Sequence, residues 1–171
     1  MKILLLLILV FFISLQCIYS TTSLKIGDKA PDFALIDQQG ETIKLTDFKG
    51  KRVALYFYPK DDTPGCRQQA CSIRDGFELL KKNGIVVLGL SKGSMVSKQK
   101  FIEKQHLPFP LLIATNNTLK AYGVNTGLFQ LYLPKRWTFL IDENGIIIAI
   151  IKDVDTKNHA QQILNGFNVF K

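Results

Sequence analysis

Two cysteines, Cys66 and Cys71, lie five residues apart in the stretch Tyr58-Pro59-Lys60-Asp61-Asp62-Thr63-Pro64-Gly65-Cys66-Arg67-Gln68-Gln69-Ala70-Cys71. These residue types suit thiol redox chemistry. The apolar, aromatic run Val53 to Tyr58 ahead of them reads as a buried strand, and Ile73, Phe77 and Leu80 behind them follow helical spacing. Cys66 therefore falls at or near the first turn of a helix. Unpaired backbone N–H groups and the positive end of the helix dipole favour a thiolate there. Thr63, three residues upstream in a Pro-stiffened turn, brings a hydroxyl beside the sulfur. The residues are arranged to make one cysteine nucleophilic and to keep a second close.

Pro59, Thr63 and Cys66 reproduce P-x-x-x-T-x-x-C, and by this motif the chain resembles the peroxiredoxin (AhpC/TSA) family of thiol peroxidases. Cys71 resembles the resolving cysteine of the bacterioferritin comigratory protein or peroxiredoxin Q subgroup. The resemblance runs from about Ile26 to about Phe167. It includes Gly27-Asp28-Lys29-Ala30-Pro31-Asp32-Phe33, Leu107-Pro108-Phe109-Pro110-Leu111-Leu112 and Arg136-Trp137-Thr138-Phe139-Leu140-Ile141-Asp142.

The resemblance implies a reaction and a set of roles. Cys66 is the nucleophile toward hydrogen peroxide and small organic hydroperoxides. Thr63 holds thiolate and peroxide, and the backbone N–H groups of Gly65 and Cys66 receive peroxide oxygens as a small anion nest. Pro59 shapes the pocket, and Arg136 supplies the cation. Attack turns Cys66 into a sulfenic acid that Cys71 resolves as a Cys66–Cys71 disulfide, which a thioredoxin-like reductant reopens. No metal, haem, flavin or other cofactor is implied, and the chain is expected to be a monomer. Residues five apart in an intact helix have Cα atoms roughly 8–9 Å apart, whereas a disulfide tolerates about 7 Å at most. The first helical turns must therefore unwind for that bond to close.

Two other functions fit the cysteines alone: thiol–disulfide exchange on the same fold, or a non-enzymatic exported module with a structural disulfide. The pair lacks C-x-x-C spacing, and the two histidines, His106 and His159, lack the spacing of zinc ligands. Several positions depart from the family pattern. Arg67 follows the cysteine where threonine or a small residue is common, and adds positive charge or points to solvent. Gly93 and Ala114 replace aspartates, and Lys98 replaces histidine.

The elements that must position these groups follow from the pattern of apolar residues. Phe33–Ile36 and Glu41–Leu45 flank Asp37-Gln38-Gln39-Gly40 as a hairpin, and Thr46–Phe48 makes one helical turn. The cysteine helix is expected to run to Asn83-Gly84, followed by a buried strand over Ile85–Leu90. Ser97–Gln105 reads as an amphipathic helix, Phe109–Ile113 as a strand and Leu119–Tyr122 as part of a helix. Arg136–Ile141 pairs with Gly145–Ile151, and a last helix spans Asp155 to about Phe167. Phe129, Leu131, Tyr132 and Leu133 form an apolar loop cluster; Leu128-Phe129 and Leu133-Pro134 resemble plant and cyanobacterial-type members. Strands alternating with helices predict an α/β domain; the resemblance makes it thioredoxin-like, a central mixed sheet flanked by helices with an N-terminal hairpin.

Residues 1–20 read as a signal peptide or N-terminal anchor, and 21–171 as one domain. Met1-Lys2 precedes an apolar run from Ile3 to Ile13, the length of a signal-peptide h-region, with Ser20 at a cleavage position. Retention as an anchor and lipid attachment at Cys17 are the alternatives. Cleavage removes Cys17 and leaves an even pair of cysteines. The expected location is therefore export, periplasmic or secreted, with membrane contact only through a retained leader. A formal charge of +8 is spread along the chain with no dense basic block. That distribution fits a solvated surface with no nucleic-acid partner.

Overall fold

The computed structural model describes residues 24–125 and 133–168. The leader, with Cys17 and Ser20, and the loop residues Leu128, Phe129, Leu131 and Tyr132 lie outside the described residues. Strands β1 (Ala34–Ile36) and β2 (Thr42–Lys44) pair antiparallel as the expected hairpin, Leu35 opposite Ile43, and a 3-10 turn over Leu45–Phe48 follows. Next come β3 (Arg52–Phe57), α1 (Pro64–Asp75), α2 (Phe77–Lys82), β4 (Ile85–Ser91), α3 (Met95–Gln105), β5 (Leu111–Ile113) and α4 (Asn116–Ala121). β6 (Thr138–Ile141), β7 (Ile147–Ile151) and α5 (His159–Asn168) complete the chain.

The five-stranded sheet has the order β5-β4-β3-β6-β7. β3 runs parallel to β4, with Phe57 opposite Leu90, and antiparallel to β6, with Tyr56 opposite Thr138. β3 is buried on both faces, which is why Val53 to Tyr58 reads as an unbroken apolar run and not as an alternation. Its alternate side chains serve two cores. Ala54, Tyr56 and Tyr58 pack with Cys66, Ala70 and Ile73 of α1 and Ile163, Leu164 and Phe167 of α5. Val53, Leu55 and Phe57 pack on the other face with Phe33 and Leu35 of the N-terminal segment and with Leu119 of α4 and Tyr122 at its end. This is the expected mixed sheet between helical layers. It brings the end of β3, the start of α1 and the approach to β6 together at one end of the central strands.

Two element boundaries differ from expectation. The single cysteine helix is two helices, broken at Gly76. A Cβ there would come within 2.5 Å of Ala160 Cβ in α5, so the chain passes α5 at a point where only glycine fits. The last helix starts at His159, not Asp155. The Asp155 carboxylate accepts hydrogen bonds from the Lys157 N–H and the Asn158 side chain, closing a turn ahead of the helix.

Candidate active site

Cys66 is the third residue of α1, with Thr63 as the N-cap in extended conformation and Pro64 at the first helical position. The helical ladder opens with Arg67 N–H donating to the Thr63 carbonyl at 2.8 Å. The Gly65 and Cys66 N–H groups thus precede it, at the positive end of the helix dipole. The Cys66 side chain is buried, at 1% exposure. Both Cys66 and Cys71 are free thiols.

Arg136 lies in the segment leading into β6, not in the strand itself as the sequence suggested. Its guanidinium spans the site: Nη2 sits 3.4 Å from Cys66 Sγ, and Nη1 donates to Gln69 Oε1 at 2.5 Å and approaches the Gly65 carbonyl at 3.5 Å. Gly65 makes room for it, since a Cβ there would meet Nη2 at 3.3 Å. The structure thus brings Cys66, Gly65 and Arg136 together. Thr63 is adjacent, but its hydroxyl donates to the Lys60 carbonyl at 3.2 Å, bracing the turn. Pro59, half-buried, sits where β3 gives way to that turn. Cys71 is half-buried on α1, with Sγ 3.5 Å from Gln105 Oε1 at the end of α3.

Residues not singled out from the sequence complete the surroundings. Gln69, His159 and Thr138 are all fully buried. Gln69 Nε2 lies 3.0 Å from His159 Nδ1, and His159 Nε2 lies 2.9 Å from Thr138 Oγ1. Burial, with the Arg136 cation nearby, lowers the His159 pKa to about 3, so the ring is neutral. The signal for Gln69 was its i+3 spacing from Cys66, which puts the two on one helix face. His159 was a polar residue at the head of an apolar helix face, four before Ile163.

The turn after β3 is held from beneath by α3. Lys98, buried, donates to Ser91 Oγ at 2.7 Å and lies 3.4 Å from Asp61 Oδ1. Asp61 also accepts from the hydroxyls of Tyr58 at 2.7 Å and Ser97 at 2.7 Å. Burial lowers the Lys98 pKa to about 8, against the pull of Asp61. Asp62, at a φ of 53° that Asp tolerates, pairs with Arg67 at 2.9 Å and with Lys104. Those partners hold its carboxyl below the usual carboxylate range, Lys104 contributing most. The Arg67 charge is therefore spent on Asp62. It does not reach for Cys66.

Known proteins resemble this chain along most of its length. The AhpC/TSA family model matches residues 26–150. A putative peroxiredoxin bcp of Coxiella burnetii is 45% identical over 83% of this chain and 97% of its own length, and peroxiredoxin Bcp of Escherichia coli is 43% identical over 83% and 94%. The crystal structure of peroxidoxin BcpB from Mycobacterium tuberculosis superposes with a TM-score of 0.80 at 31% identity, covering 86% of this chain and 99% of that one.

These relatives overturn the expectation of an exported, periplasmic or secreted protein. The two bacterial proteins are matched over nearly their whole lengths, so almost nothing lies beyond the domain in them to act as an export leader. Among the described residues no helix is long and apolar enough to cross a membrane.

Proposed function

The chain belongs to the AhpC/TSA family and is a thiol-dependent peroxidase, and on that premise we propose that Cys66 is the sulfur that attacks the peroxide. The sulfur electron pair forms an S–O bond to the terminal oxygen of ROOH as the O–O bond breaks. The departing RO⁻ takes up a proton and leaves as ROH, and Cys66 becomes a sulfenic acid. The Arg136 guanidinium and the N–H groups of Gly65 and Cys66 stabilise charge on the separating oxygens, which is where such donors act most strongly. Thr63 and Pro59 shape the turn that receives the peroxide.

Resolution follows at Cys71. Its thiol displaces water from the Cys66 sulfenic acid and forms an intramolecular disulfide, and a thioredoxin-like dithiol returns two electrons and two protons to regenerate both thiols. The carrying observation is the Arg136 nitrogen 3.4 Å from the Cys66 sulfur at the opening of a helix. A structural disulfide has no use for a cation packed against one free sulfur.

Stopped-flow oxidation of the reduced protein by stoichiometric hydrogen peroxide tests the reading, with Cys66→Ser, Cys71→Ser and Thr63→Val variants. Fast oxidation that needs Cys66, slows in Thr63→Val and leaves a trappable sulfenic acid when Cys71 is absent is expected. Slow peroxide reaction with rapid reaction toward disulfide substrates would assign the cysteines to thiol–disulfide exchange instead.

A further inference from the structure

The hydrogen bonds behind Arg136 form a chain with a fixed direction. A guanidinium only donates, so Gln69 must turn its amide oxygen toward Arg136. Its NH2 then faces His159 Nδ1 at 3.0 Å, and because NH2 only donates, Nδ1 must accept. The ring proton therefore resides on Nε2, from which it is donated to Thr138 Oγ1 at 2.9 Å. A proton on Nδ1 would oppose the amide NH2. Rotating the amide would in turn set that NH2 against the guanidinium.

We infer that His159 is a positioning residue of the peroxidase site: by accepting from Gln69 at Nδ1 it orients the amide whose oxygen holds Arg136 against the Cys66 sulfur. The inference rests on the peroxidase reading above. The competing role is packing alone, since the ring also lies edge-on to Tyr56 at 6.1 Å. The two roles make different demands. Packing needs volume, whereas orientation needs an acceptor where Nδ1 stands. Without that acceptor the amide NH2 is left unpaired in a buried site, and the last torsion of Gln69, broad and roughly two-fold, is held by Arg136 alone.

The test compares two rate constants for the same sulfur in the reduced full-length chain at one pH: oxidation by hydrogen peroxide and alkylation by iodoacetamide. Their ratio cancels changes in thiol ionisation and general exposure, and isolates the help given to a departing oxygen. His159→Leu should lower the ratio roughly tenfold, about the worth of one charge-assisted hydrogen bond. His159→Asn is smaller than the imidazole, so packing alone would leave it more impaired than Leu, but its Oδ1 restores an acceptor at the Nδ1 place. It should stay within about threefold of wild type. Thr138→Val, which deprives Nε2–H of its acceptor, should fall between them. A wild-type ratio in His159→Leu, or an Asn variant as impaired as Leu, overturns the inference in favour of packing. If His159→Leu does not fold, a wild-type ratio in Thr138→Val overturns it, and a lowered ratio there beside a near-normal Asn variant upholds it. Slow peroxide oxidation of the wild type would instead overturn the peroxidase reading itself.

Discussion

Gln69 grips Arg136 at 2.5 Å from a position three residues beyond Cys66. The cation beside the sulfur is thus fastened to the helix that carries both cysteines, as well as to the segment entering β6. Whatever loosens α1 between Cys66 and Cys71 also loosens the hold on Arg136.

Arg136 is predicted to matter through its shape as much as its charge. One planar fork reaches the Cys66 sulfur, the Gln69 oxygen and the Gly65 carbonyl at once, and a lysine ammonium has no such geometry. Arg136→Met should lower the rate of peroxide oxidation by roughly a hundredfold, the scale of losing one transition-state donor. Arg136→Lys should recover only part of it. Single-turnover stopped-flow measurements check both, and a lysine variant at full rate would reduce the role to point charge.

Disulfide formation should cost α1 its first turns. Both cysteines lie within Pro64–Asp75, and an intact helix holds residues five apart beyond disulfide reach. Hydrogen exchange of the oxidised protein should show lost protection over residues 66–71, with β3 unchanged. A Cys66–Cys71 bond coexisting with full α1 protection would refute this.

His159 should make the fold sensitive to acid. Its folded pKa of about 3 lies below the ordinary 6.5, because burial and Arg136 disfavour the charged ring. The neutral ring's contribution is therefore complete above about pH 6.5 and is lost progressively as pH falls toward 3. The stability advantage of wild type over His159→Asn, measured by urea unfolding, should shrink by about 2 kcal/mol between pH 7 and pH 4.5. A gap that stays constant would show that the ring does not titrate differently on unfolding.

Gly76→Ala should destabilise by about 1–3 kcal/mol, since the new Cβ meets Ala160 in a packed layer. Thermal or urea unfolding measures it.

The legible parts of this molecule were those written in local pattern. The apolar run of β3, the turn before Cys66 and the Pro64 start of α1 were all readable, because strand burial and helix entry leave marks within a few residues. Arg136 was reachable only through resemblance, because the 70 residues separating it from Cys66 are closed by sheet pairing. The Gln69–His159–Thr138 chain was invisible for the same reason. Gly76 looked like an ordinary helix residue until α5 was seen to pass against it. Lys98 looked like a surface lysine on a lysine-rich helix, yet it is buried among Tyr58, Asp61 and Ser91.

The interruption at Gly76 also limits how far disorder can travel. The hydrogen bonds of α2 begin anew with Leu80 N–H to the Gly76 carbonyl, so none depends on a turn of α1. Were the Cys66–Cys71 segment to unwind for the proposed disulfide, the damage would meet a firebreak: α2 has its own ladder, and Leu80 its own place in the core. On the proposed Cys66–Cys71 cycle, the working end would open while α2 stays closed.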